Sequence, residues 1–179
     1  MIEEIFKFND EFVKNEGYKP YITSKYPDKK IAIVTCMDTR LVELLPAALG
    51  IKNGDVKMIK NAGGVINDPW DSVVRSLLVA VYELGVNEIM IIGHTECGVQ
   101  GMNAEDMLHE MKKRGITEET ISMVKRCGID LDKWLKGFEE TSQSVADSVN
   151  LVKNHPFIPK DVKVAGYIMD STTGRLTGI

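Results

Sequence analysis

The stretch Val56-Lys57-Met58-Ile59, then Asp68-Pro69, then Gly85, then Glu88-Ile89-Met90-Ile91-Ile92 decides the fold. Its two end segments are apolar runs rather than alternating ones, the pattern of strands covered on both faces. Between them, Asp68 before Pro69 predicts a helix start. Val73, Val74, Leu77, Leu78 and Val81 carry an apolar stripe at helical spacing, and Gly85 is positioned to end it. Strand, helix and strand within residues 56–92 make a βαβ crossover.

Working outward, Ile31 to Thr35 repeats the buried-strand pattern upstream, and Val162 to Met169 supplies a fourth strand. Residues 103–114 and 141–154 read as helices, the second stopped by Pro156 and Pro159, while 115–137 reads as less regular. The chain opens with Ile2, Ile5, Phe6, Phe8, Phe12 and Val13 at roughly helical spacing, an amphipathic helix that must cover its own domain or a second subunit. The expected fold class is α/β: a mostly parallel central β-sheet flanked by helices, in one domain over residues 1–179. Ligand sites of such sheets lie beyond the carboxyl ends of the strands.

Composition narrows the function. A net charge of -4, with lysines interspersed among acids, gives no basic stripe for nucleic acid. No apolar run is long enough to span a bilayer, and Met1-Ile2-Glu3-Glu4 does not begin a signal peptide, so a cytoplasmic, soluble protein is expected. Cys36, Cys97 and Cys127 are an odd set, which fits a reducing compartment better than a disulfide framework.

Two cysteines sit where chemistry is expected. Cys36 follows the first strand, Asn61-Ala62-Gly63-Gly64 the second and Gly93-His94 the third, so these segments should meet at one sheet edge. His94 and Cys97 are three apart, within reach of one ion if a helical turn opens after the strand, and Cys36 completes a set of two thiolates and an imidazole. Such donors suit Zn2+, one per chain, and three ligands leave a position open.

Two thiolates cancel the charge of the dication, so the metal is a weaker Lewis acid than one held by three imidazoles. Help in orienting a bound water is then required. Asp38 and Arg40 can give it: a carboxylate fixed by a guanidinium fork stays ionised and keeps a lone pair free. A structural zinc site in a binding or regulatory protein, with Cys127 as fourth ligand, is the competing reading from a different class. His109 and His155 read as solvated surface residues.

Cys36-x-Asp38-x-Arg40, Asn61-Ala62-Gly63 and His94-x-x-Cys97-Gly98 together resemble the signature of the β-class carbonic anhydrases, over about Ile31 to Asp170. The resemblance implies Zn2+ on Cys36, His94 and Cys97, an Asp38-Arg40 catalytic pair, and reversible hydration of CO2 to bicarbonate and a proton by zinc-bound hydroxide. It also implies a substrate pocket, for which Val65, Ile66 and the Gly98 N–H are candidates. Members form dimers or multiples of dimers, so the opening helix is expected on a partner subunit, in a homodimer or higher even oligomer. In some members the aspartate swings onto the metal and shuts the site, a state that Asp38 permits. Carbonyl sulfide and carbon disulfide hydrolases resemble the same scaffold and are the alternative within the enzyme class.

Overall fold

The computed structural model describes residues 1–179. Five strands form one sheet: β1 (Ile31–Cys36), β2 (Val56–Asn61), β3 (Glu88–His94), β4 (Lys163–Met169) and β5 (Leu176–Gly178). Their spatial order is β2-β1-β3-β4-β5, and all neighbours are parallel except β4 and β5. The α/β reading with a mostly parallel sheet therefore holds, with the short antiparallel β5 as an addition.

The apolar runs are continuous because both sheet faces are covered. On one face Ala32, Val34, Ile89 and Ile91 pack with Val73, Val74 and Leu77 of helix α3 (Ser72–Tyr82) and Val145 and Val152 of α7 (Thr141–Lys153). On the other, Ile33, Ile92 and Met169 pack with Leu41 and Leu45 of α2 (Leu41–Ala48). Each buried Val, Leu, Ile or Met side chain among these contributes roughly 1.5–3 kcal/mol.

Several boundaries differ from the sequence reading, each for a local reason. Helix α3 starts three residues after the expected Asp68-Pro69: the Asp71 carboxylate caps it by accepting from Val74 N at 2.8 Å, and Asp68 instead accepts from Trp70 N at 2.7 Å. Helix α2, with Pro46 inside it, occupies a stretch to which the sequence reading assigns no element. Besides α4 (Ala104–Lys113), the region 115–137 holds two further helices, α5 (Glu118–Arg126) and α6 (Leu131–Trp134), capped by Thr117 and Asp130. These three enclose a small core of their own around Ala104, Ile121, Leu131 and Leu135. The β2-to-β3 crossover passes over β1, which lies between its two strands.

Helix α1 (Ile2–Lys14) forms as expected and buries none of its residues within the chain; Ile2, Ile5, Phe6 and Phe8 are each at least 66% exposed. His155 is not a surface residue: it is 2% exposed, flanked by Trp70 and Phe157, and bonded to the Pro69 carbonyl and the Phe157 N–H. No helix is long and apolar enough to cross a membrane.

Strand order also fixes where a site can form. The chain leaves β1 toward β2 on one side, then returns across it to β3 and continues to β4 on the other. A crevice opens at such a reversal, beyond the carboxyl ends of β1 and β3. Cys36 and His94 are the last residues of these two strands.

Candidate metal centre

Cys36 is carried to the sheet edge by β1, whose register with β2 pairs it with Asn61. The loop after β2 folds back over it: Gly63 and Gly64 take φ of 82° and 65°, and a Cβ on Gly64 would stand 2.8 Å from Cys36 N and 2.9 Å from Thr35 C. Only glycine allows this approach. The Asn61 carbonyl accepts from Met37 N at 2.8 Å, and the Asn61 side-chain amide donates to Val65 O at 2.7 Å, tying loop and strand together.

His94 and Cys97 converge through a tight turn rather than the opening turn of a helix, since the next helix begins only at Ala104. Glu96 takes φ of 54°, a left-handed conformation uncommon outside glycine. That reversal brings Cys97 back toward Cys36, with Sγ···Sγ at 3.9 Å and all three cysteines free. Two thiolates on a tetrahedral zinc stand about 3.8 Å apart. The ligand atoms of Cys36, His94 and Cys97 lie within 4.8 Å of one another, and all three residues are buried.

The imidazole is oriented for a metal. Nδ1–H of His94 donates to the Thr95 carbonyl at 2.9 Å, which leaves Nε2 as the bare nitrogen. Nε2 is buried and has no hydrogen-bond partner. A buried acceptor is costly to leave unpaired, so the donor set fits a cation bound between nitrogen and sulfurs. Burial also lowers the His94 pKa, keeping the ring neutral, and raises that of Cys97, against the pull of the Val99 and Gln100 N–H groups.

Asp38 and Arg40 pair closely above this centre. Asp38 Oδ1 accepts from Arg40 N at 2.9 Å and from Nε at 3.0 Å, while Oδ2 accepts from Nη2 at 2.9 Å. These Arg40 bonds, foremost those of its side chain, hold the Asp38 pKa down to about 2. Sequence reasoning missed the groups behind Arg40: Nη1 reaches Glu96 Oε2 and Ser171 Oγ, each at 3.2 Å, and Nη2 also reaches the Glu96 carbonyl at 2.8 Å. Glu96 could have been noticed between His94 and Cys97; Ser171 lies 131 residues from Arg40 and carries no local signal.

The remaining candidates are distributed unevenly. Gly98 follows Cys97 in the turn and is exposed, with open space where a Cβ would stand. Val65 is half-buried and lines a cavity of about 70 Å³ with Val99 and Phe138, both of which pack against the layer containing Cys36 and Cys97. Ile66 is 2% exposed and sunk in the opposite core with Val34 and Val145, its N–H donating to Ser148 Oγ. Cys127 is exposed at the end of α5 and outside the Cys-His-Cys cluster, so it does not complete the fourth ligand of a structural site.

The family model described as Carbonic anhydrase matches residues 31–176, which span β1 to β4, the cluster and the Asp-Arg pair. This chain belongs to the β-carbonic anhydrase family. It is thereby an enzyme of the zinc-lyase class. The Bacillus subtilis protein YvdA is 49% identical over 98% of this chain and 89% of its own length. Beta-carbonic anhydrase 1 of Mycobacterium tuberculosis is 34% identical over 86% of this chain and 83% of its own. Among solved structures, β-carbonic anhydrase isoform I of Trichomonas vaginalis superposes with a TM-score of 0.90 at 38% identity, over 100% of this chain and 97% of that one. Carbon disulfide hydrolase of Acidithiobacillus thiooxidans is 32% identical over 83% of this chain and 76% of its own.

Proposed function

We propose that this chain catalyses the reversible hydration of CO2 to bicarbonate and a proton, with one Zn2+ held by Cys36, His94 and Cys97. The observation that carries the reading is an ionised carboxylate oxygen, Asp38 Oδ2, 3.9 Å from the unpartnered Nε2 of His94. Zinc held by these donors would supply the Lewis acidity that makes a water nucleophilic. The chain's own groups do the rest. Asp38, an acceptor only, takes a hydrogen bond from the reacting water and so turns a lone pair of that water toward the substrate. Its low pKa means that it orients without removing the proton, which leaves to solvent.

Arg40 keeps Asp38 ionised and faces it in the right direction; Asp38 and Arg40 are the proposed catalytic pair. Val65 and the Gly98 N–H are the proposed substrate contacts. We place the enzyme in the cytoplasm, where its free thiols persist.

A homodimer or higher even oligomer, with α1 laid on the partner, belongs to the same proposal. The chain exposes 11910 Å², against about 8,700 Å² for a compact monomer of its mass. The excess of roughly 3,000 Å² is ample for one side of an obligate dimer interface. The apolar face of α1, where Ile2, Ile5, Phe6 and Phe8 stay exposed, is part of it.

Hydrolysis of carbon disulfide or carbonyl sulfide is the second reading, supported by the Acidithiobacillus relative. Initial rates with CO2, carbonyl sulfide and carbon disulfide on one zinc-loaded sample decide between them. CO2 hydration dominating the three supports the proposal, and negligible CO2 turnover at every pH rejects it.

A further inference from the structure

A guanidinium has five N–H bonds, and in Arg40 all five are used. Nε serves Asp38, Nη2 serves Asp38 and the Glu96 carbonyl, and Nη1 serves Glu96 Oε2 and Ser171 Oγ. Two of the five go to the carboxylate of the proposed pair, so three others settle where the guanidinium itself stands.

These three are not equal. The Glu96 carboxylate is 76% exposed, and an exposed ion pair contributes little. The Glu96 carbonyl is set by the turn that also aims His94 and Cys97. Ser171 is 5% exposed, so water does not readily take the place of its hydroxyl.

Ser171 is held from behind. Its N–H donates to Thr95 Oγ1 at 3.0 Å, and the two hydroxyls stand 3.1 Å apart, while Thr95 N donates to the Met169 carbonyl at 3.0 Å. The turn that carries Ser171 is closed on itself, with the Asp170 carboxylate accepting from Thr172 N, Thr173 N and Thr173 Oγ1. It also abuts α2, the helix that begins directly after Arg40: a Cβ on Gly174 would stand 2.7 Å from Ala48 Cβ. Hydroxyl and guanidinium are thus mounted on touching supports.

We infer that Ser171, backed by Thr95, is a positioning residue that locks Arg40 and thereby holds Asp38 in its water-orienting place. Without the serine hydroxyl, Nη1 turns toward solvent and the fork facing Asp38 loosens. The inference rests on the proposed CO2 hydration for its kinetic consequence only; the immobility of Arg40 is a property of the folded chain.

The experiment is nitrogen-resolved NMR of arginine side chains in wild type, Ser171→Ala and Thr95→Val, with Arg40→Lys to assign the Arg40 signals, alongside kcat, KM and zinc content. The wild type is expected to show separate, slowly exchanging Nη protons for Arg40. In Ser171→Ala the Nη1 pair should collapse, with kcat down roughly three- to tenfold and KM and zinc content unchanged. Thr95→Val should show the same change in weaker form, and it decides the matter if Ser171→Ala loses its amide dispersion. Arg40 signals and kcat that match wild type in the folded variants overturn the inference. A wild type without CO2 hydration overturns the proposed function instead, and the Arg40 spectra then decide the lock alone.

Discussion

Asp38 Oδ2 stands 3.9 Å from His94 Nε2, while Oδ1 of the same carboxylate is engaged by two N–H groups of Arg40. Both oxygens are anchored by Arg40, and Oδ2, which accepts from Nη2 at 2.9 Å, also faces the bare nitrogen of the metal centre. Asp38→Asn keeps the size of the side chain and removes its charge, so zinc content should match wild type. CO2 hydration should fall roughly a hundredfold or more. Metal analysis with stopped-flow hydration checks both; unchanged turnover would remove Asp38 from the proposed pair.

Loading the metal should release protons. Burial raises the Cys97 pKa, so its thiol is protonated at neutral pH before zinc arrives and must give up that proton on binding. Zinc affinity should therefore weaken as pH falls. Calorimetry in buffers of different ionisation enthalpy measures the protons released. Cys97→Ser and His94→Ala should both leave the purified protein well below about one zinc per chain.

The Asp38 carboxylate should also mark acid stability. Its pKa in the folded protein is lowered from 3.8 to about 2, so its stabilising contribution is complete above 3.8 and is lost as pH falls toward 2. Urea unfolding of wild type and Asp38→Asn should differ by a constant amount at neutral pH and converge within that acid window. A difference that instead changes around neutrality would show that the Arg40 bonds do not hold this carboxylate ionised. By the same sign, any neutral-pH limb in the activity profile must come from a group other than Asp38.

Gly64 should be intolerant of any side chain. Alanine there meets backbone at 2.8 Å and 2.9 Å with φ at 65°, so Cys36 must shift. Gly64→Ala should cost about 2–4 kcal/mol and weaken zinc retention. Gly85→Ala, at φ of 73° with nothing within 4 Å, should cost only about 1–2 kcal/mol and leave zinc binding intact. Urea titration and metal content separate the two.

Helix α1 gives a test of assembly. Phe6→Glu and Phe8→Glu place charges on a face that is unburied in the single chain, so they should leave its fold intact and shift sedimentation from dimer toward monomer. Unchanged sedimentation would mean that α1 does not lie on a partner.

Much of this was legible in the sequence because the signals are local. Continuous apolar runs at 31–35, 56–59 and 88–92 announce strands buried on both faces, and Cys36, Asp38, Arg40, His94 and Cys97 lie directly at the ends of two of them. The donor types suit a zinc-type metal, and their charge is the reason an orienting carboxylate is proposed. Other elements were hidden where local signals conflict or are weak. Helix α2 contains Pro46, a residue that disfavours helix interiors, and β5 is three residues long and is defined by its pairing with β4.

Tertiary structure alone decided the rest. That β1 lies between β2 and β3, so that Cys36 and His94 end adjacent strands at a reversal of strand order, follows from packing two cores on two faces. That Ile66 belongs to the far core rather than beside the cysteines follows from the same layering. The bond from Ser171 to Arg40 joins side chains 131 residues apart. A residue type and its spacing can declare a ligand or a strand, because those depend on neighbours along the chain. Which distant hydroxyl fills the last vacancy on a guanidinium depends on neighbours in space, and these exist only once the sheet has formed.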